Sequence, residues 1–189
     1  MKPLALQLLF KPDKNTIEYK ALAEACDALQ MSASRLMLAT GGIRSPKELH
    51  LAKFYFEHFP KGLGFPAITI PALPTDLPVA DVQAFSIDDV TTTEIDDAFS
   101  VVDLGDGKLR VGIHIAAPAL GVARGDAIDQ LARARMSTVY MPGDKITMLP
   151  DELVDTYTLG AGQTRPALSL YVTLDTADWS VISTETKVE

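Results

Sequence analysis

The stretch Ala98-Phe-Ser-Val-Val-Asp-Leu-Gly-Asp-Gly-Lys-Leu-Arg-Val-Gly-Ile-His-Ile-Ala116 decides the fold. It reads as two strands, Ala98 to Asp103 and Leu109 to Ala116, around the turn Gly105-Asp106-Gly107. The second strand alternates Leu109, Val111, Ile113 and Ile115 against Arg110, Gly112 and His114, the period of two that a pleated strand imposes. Glycine and aspartate at the turn tolerate the positive φ of a tight hairpin. Upstream, Val82 to Asp88 reads as a further strand. Downstream, Leu168 to Leu174 alternates again, and Trp179 to Thr186 reads as another strand. Ala127 to Met136 reads as a helix with Ile128, Leu131, Ala132 and Arg135 on one side. The expected fold class is α+β, a mixed and mainly antiparallel sheet with helices, carrying an acidic loop at one edge.

Before residue 62 the period is helical. Thr16 or Asn15 can cap a helix to about Leu29, with Tyr19, Leu22, Ala23 and Cys26 on one face. A second helix starts after Ser32 and ends at Gly41-Gly42. Ser45-Pro46 opens a third, with Glu48 placed to complete a capping box and Leu51, Phe54, Tyr55 and His58 sharing a face. These helices suit a plain helical brace or a helix-turn-helix-like module; the basic residues form no clear stripe along one helix. Residues 62–78 hold four prolines and two glycines, a composition for an extended linker. The expected organisation is a helical module over 1–61, a linker over 62–79 and a larger unit over 80–189.

Composition bounds the function classes. At 189 residues, with 47% hydrophobic and 22% charged side chains, the chain has the make-up of a globular protein. No apolar run approaches the roughly 20 residues needed to span a bilayer, so no membrane partner is expected. Met1-Lys2-Pro3 and the apolar residues after them resemble a short signal sequence but lack a small-residue cleavage site. Cys26 is the single cysteine, which excludes an intrachain disulfide and fits a cytoplasmic protein. The net charge of −8 opposes a phosphate backbone unless cations or a basic partner region offset it.

Phe85-Ser-Ile-Asp-Asp-Val-Thr-Thr-Thr-Glu-Ile-Asp-Asp-Ala98 places five carboxylates within ten positions. Asp88 and Asp89 end one strand in this reading, and Glu94, Asp96 and Asp97 begin the next. Ile87, Ile95, Ala98 and Phe99 are expected to anchor both sides in an apolar core. Such crowding disfavours ionisation unless cations compensate, and hard oxygen donors suit magnesium or manganese. In an extended chain Glu94 and Asp96 face one way and Asp97 the other, so convergence requires the 89–95 loop to curl back. A solvated acidic turn is the bland alternative. The loop lacks the glycine and the ligand spacing of an EF-hand.

The same stretch resembles the signature of the ribonuclease II (RNB) family of 3′-to-5′ exoribonucleases. The resemblance continues through Gly112-Ile-His-Ile-Ala-Ala-Pro118, Leu131-Ala-Arg-Ala-Arg135, Val139-Tyr-Met-Pro142, Ile146-Thr-Met-Leu-Pro150 and Arg165-Pro-Ala-Leu-Ser169. It implies metal-assisted hydrolysis of single-stranded RNA to nucleoside 5′-monophosphates, with Mg²⁺ or Mn²⁺ as the cofactor. It also implies that Asp88 and Asp97 are main metal ligands and that Asp96 is the aspartate the chemistry can least do without. Glu94 stands where the commonest pattern has an aspartate, one methylene shorter. Tyr140 matches an aromatic that stacks on a base near the RNA 3′ end. Ala117 departs from the family, which usually carries an acid there. His114 reads as a packed or hydrogen-bonded strand histidine, and Met148-Leu149-Pro150 as packing.

The resemblance implies further that a longer catalytic domain and flanking OB-fold RNA-binding domains are missing from this stretch, and with them the basic surface that the charge balance lacks. The alternative function is a non-catalytic RNA- or protein-binding remnant of such a protein.

Overall fold

A computed structural model describes residues 4–189, so Met1-Lys2-Pro3 of the signal-like stretch lie outside the described residues. The chain forms two compact units, one ending at Gly64 and the other spanning Phe65–Glu189.

The first unit holds α1 (Leu4–Phe10), α2 (Ile17–Leu29), α3 (Ala33–Ala39) and α4 (Pro46–His58). Thr16, Ser32 and Ser45 stand at the N-caps of α2, α3 and α4. Their hydroxyls accept the otherwise orphaned N–H groups of Tyr19, Arg35 and Glu48 at 3.2–3.3 Å. The capping box at α4 differs from expectation in its second half. The Glu48 carboxylate accepts the N–H of Arg44 at 2.8 Å, because it is drawn to the Arg44 guanidinium as well. Gly41, at φ +74°, lets the chain leave α3. Leu36 and Ile43 are buried, and Phe10 packs on Phe56 with ring centroids 5.7 Å apart.

The second unit holds β1 (Asp97–Gly105), β2 (Lys108–Ala116), α5 (Ala127–Arg135), β3 (Val139–Met141), β4 (Asp144–Ile146), α6 (Asp151–Tyr157), β5 (Ala167–Asp175) and β6 (Val181–Val188). A sheet of order β1-β2-β5-β6 is antiparallel throughout, and β3-β4 is a separate hairpin. Gly105, Asp106 and Gly107 all take positive φ in the turn between β1 and β2. Asp126 caps α5, its carboxylate accepting the Asp129 N–H at 2.7 Å. Ile128, Leu153 and Tyr157 form a core on α5 and α6, with Leu149 and Val122 against it. Ile68, Ile70 and Leu73, from the proline-rich stretch, pack on the same core. That segment is extended, but its apolar side chains are tied down.

The sheet buries its small and polar face. Across the strands, Ser100 pairs with Gly112 and Gly112 with Tyr171, while Ala98 pairs with His114 and His114 with Ser169. All of these are buried. The His114 ring hydrogen-bonds Ser100 Oγ through Nε2 and Ser169 Oγ through Nδ1, both at 2.8 Å, which satisfies its buried polar atoms. The opposite face carries Phe99, Val101, Val111, Ile113, Ile115, Leu168 and Leu170, and none of them is buried.

Three sequence expectations are corrected. Val82 to Asp88 is not a strand: Phe85 makes one reciprocal bridge with Phe99, both N–H···O distances 2.8 Å, and the chain then leaves the sheet edge. The Asp89 side chain captures the Thr91 N–H and hydroxyl, offering the backbone a turn in place of a ladder. Ile87, expected in a core, is exposed. Trp179 lies in the turn before β6 at φ +63°, not in the strand.

Candidate active site

The carboxylates sit on the irregular segment that feeds β1. Thr158, just after α6, holds this segment from the far side. Its hydroxyl accepts the Ile95 N–H at 2.7 Å, and the Leu159 N–H reaches the Ile95 carbonyl at 2.9 Å. The Ala116 N–H donates to the Asp96 carbonyl at 2.8 Å, extending the β1–β2 ladder to Asp96. The backbone between Glu94 and Asp97 is thereby held at Ile95 and Asp96. Asp89 is consumed in its own turn, and the hydrogen bonds from Thr91 hold its carboxyl below the usual range.

Glu94 and Asp96 line a cleft of about 180 Å³ together with Tyr140, Thr138, Thr147 and Thr158. Tyr140 is 73% exposed, so its ring is a free surface and not part of the core. It lies on β3 directly opposite Lys145 on β4. Arg135 braces this hairpin: its guanidinium donates to the Thr147 carbonyl at 2.7 Å and stacks 3.7 Å from the centre of the Phe65 ring. Lys145 Nζ forms a short ion pair with Glu94 Oε1, and that hydrogen bond is the main cause holding the ammonium above its ordinary range.

Asp96 keeps solvent contact, yet its carboxyl is raised above the ordinary 3.8. Partial burial is the largest cause, followed by the negative charges of Glu94, Asp97 and Asp88; Lys145 opposes them. The cluster is short of positive charge, and its donors are all hard oxygens. In type and charge these residues fit a divalent cation such as magnesium or manganese. Their positions are less complete. Among the described residues no three carboxylates or histidines converge as a metal-binding group, and Asp88 and Asp97 do not line the cleft. Alternation along β1 puts Asp97 on the side of Phe99, away from Ala98. A bound cation would require Asp88 and Asp97 to turn toward Asp96.

Thr158 and Lys145 escaped the sequence reading. Thr158 stands 63 residues from Ile95 and Lys145 stands 51 from Glu94, and no local pattern marks either pairing.

An open antiparallel sheet with an acidic segment at its edge strand, faced by a small hairpin and two helices, makes an α+β unit. Residues 78–188 match the RNB domain, and the chain belongs to that family. It is 40% identical over 111 residues to exoribonuclease 2 of Serratia proteamaculans, covering 57% of this chain and 17% of that protein. It is 41% identical over 92 residues to exoribonuclease 2 of an Escherichia coli strain, covering 48% and 14%. The chain thus spans well under a fifth of the length of these relatives. Among solved structures it is similar to Mycoplasma genitalium RNase R in complex with ribose methylated single-stranded RNA. That match has a TM-score of 0.53 at 24% identity and covers 57% of this chain and 17% of that one. A Candida glabrata Dss1 exoribonuclease active-site mutant matches at TM-score 0.54 and 24% identity, covering 61% and 17%. At that identity both show the fold alone.

Proposed function

We propose that this chain forms part of the active site of a metal-dependent 3′-to-5′ exoribonuclease that shortens single-stranded RNA to nucleoside 5′-monophosphates. The observation that carries this reading is the cleft that brings Glu94 and Asp96 together with the exposed ring of Tyr140. An aromatic platform beside a carboxylate cluster suits a terminal base stacked next to the phosphodiester to be cut. Asp88, Glu94, Asp96 and Asp97 would hold the Mg²⁺ or Mn²⁺, which supplies charge neutralisation at the phosphate and a water of lowered pKa. Asp96, anchored through its carbonyl to β2, presents its carboxylate without backbone freedom. The tied backbone at Ile95 does the same for Glu94. Recognition through stacking and the backbone is indifferent to base identity, which fits sequence-independent degradation.

The reading extends to partners. The acidic balance of −8 favours RNA binding that depends on bound cations and on a basic surface from the rest of a catalytic domain and OB-fold domains. A cytoplasmic location accords with the single cysteine.

Incubating the chain with 3′-labelled single-stranded RNA and Mg²⁺, beside Asp96→Asn, tests the proposal. Labelled mononucleotide release, abolished by EDTA and absent in the variant, is the expected outcome. A folded chain that binds RNA and releases nothing would identify a non-catalytic RNA-binding member instead.

A further inference from the structure

We propose that β6 is a self-association edge: two copies of this chain join their sheets by antiparallel pairing of Ser183–Glu189, about a two-fold axis at Thr186. The proposal is independent of the nuclease reading.

β6 ends the sheet order, and among the described residues no backbone group bonds its outer side. The other end of the sheet differs, since Phe85 bridges Phe99 on the outer side of β1. Every residue of Val181–Val188 is exposed. The ladder identifies the groups on offer. Glu189 and Ala167 exchange both of their backbone hydrogen bonds, at 2.8 and 3.1 Å. Bonded and non-bonded pairs alternate in an antiparallel ladder, so Lys187, Glu185 and Ser183 also bond inward, to Ser169, Tyr171 and Thr173. The N–H and C=O groups of Thr184, Thr186 and Val188 therefore point away from the sheet. All three residues are β-branched, the segment has no proline, and the register irregularity lies beyond it at Thr173/Leu174. Natural edges are commonly blunted by proline, a bulge or a lysine; along Ser183–Glu189 only Lys187 is of that kind, and a second copy supplies it with a partner.

Charge selects the occupant and the register. Outward groups must meet outward groups, so two copies can slide past each other only in steps of two residues. With Thr186 opposite Thr186 of the second copy, Thr184 faces Val188, and Glu185 faces Lys187 on both sides of the axis. Both charge pairs fall at non-hydrogen-bonded positions, where opposed side chains come closest. Sliding one step either way sets Glu185 against Glu185, or Lys187 against Lys187 with Glu185 against Glu189. The sequence thus favours this register over its neighbours. Glu185 and Lys187 already pair within one chain at 3.0 Å, and the second copy gives each a further partner. The three bonded pairs exchange two N–H···O bonds each and bury little side-chain surface, so the dimer is weak and concentration-dependent.

Sedimentation equilibrium of the whole chain tests the proposal, at about 0.15 M salt to screen the long-range repulsion of the −8 net charge. From roughly 5 to 500 µM the monomer should pass into a dimer. Thr186→Pro removes an outward N–H at the axis without touching a bond to β5, and should leave a monomer with an unchanged unfolding midpoint. Lys187→Glu and Glu185→Lys, each alone, set like charges opposite one another and should weaken self-association by roughly tenfold. Mixed in equal amounts, these two variants should pair with each other, because every opposed charge pair is again of unlike sign. A monomer throughout the range overturns the proposal. So does a dimer that survives Thr186→Pro, or one abolished by Leu170→Lys and not by the β6 variants, which would place the contact on the aliphatic face. Failure of the mixed charge variants to pair overturns the register.

Discussion

Partial burial, and after it the field of three neighbouring carboxylates, disfavours the ionised form of Asp96, while one ammonium opposes them. The folded-state pKa of Asp96 lies above 3.8, so the fold holds that proton more tightly than the unfolded chain does. Ionisation of Asp96 therefore weakens the fold as pH rises through the window above 3.8. Asp96→Asn removes the penalty. In metal-free buffer the variant should unfold at a higher urea concentration than the wild type at neutral pH, with no difference at about pH 3. The gain should stay under about 1 kcal/mol because solvent screens the group. A variant no more stable than wild type at neutral pH would contradict the picture of a charge-starved cluster. Activity and stability then pull in opposite directions at one residue, as expected where a site is built to receive a cation. Asp89 has the opposite sign: its lowered pKa contributes stability that is lost as pH falls, and its work is to shape the loop.

At the level of elements, the β1–β2–β5 surface shows why this sheet turns its small residues inward. Gly112 lies between Ser100 and Tyr171 in the register, beside the hydrogen bond between Ser100 and His114. A Cβ there would fall 2.4 Å from Ser100 Oγ and 2.7 Å from His114 Nε2. Gly112→Ala must push both aside and strain the buried bond between them. It should cost about 1–3 kcal/mol in urea unfolding, and a loss within error of zero would show that the network gives way freely. His114 is thus a structural residue, and its burial lowers its pKa despite the nearby Glu189. The N-caps at Thr16, Ser32 and Ser45 and the turn at Gly105–Gly107 were legible because each is a local event. The β3–β4 hairpin was not read as a pair of strands, since three-residue strands carry no measurable alternation.

For the molecule as a whole, the outstanding feature is the aliphatic face of the four-stranded sheet. Its apolar residues lie on the nine-residue strands β1, β2 and β5, which at about 3.3 Å per residue and about 4.8 Å between strands give a face on the order of 300 Å². Val101 is 51% exposed on it and Leu168 46%. A contiguous apolar patch of that size matches the largest that a typical monomer exposes, and such patches are often functional. The chain should therefore bind a hydrophobic fluorescent dye in its native state, and Leu170→Lys should reduce the signal without lowering the unfolding midpoint. Absence of dye binding by the folded chain would show that the face is covered in solution.

The sequence by itself determined the α+β class, the capped helices, the central hairpin and the identity of the acids, because caps, turns and periods are short-range. The RNB signature was legible for the same reason: its motifs are runs of neighbours. Only the tertiary structure decided which face of the sheet is buried, since alternation separates two faces without saying what covers either. It alone decided that Glu94 meets Lys145 and that Thr158 holds Ile95, since contacts across 50 or more residues depend on where the chain returns. It also decided that Glu94 and Asp96 share a cleft with Tyr140 while Asp88 and Asp97 do not line it; for Asp97 the reason is that the edge strand sends successive side chains to opposite sides.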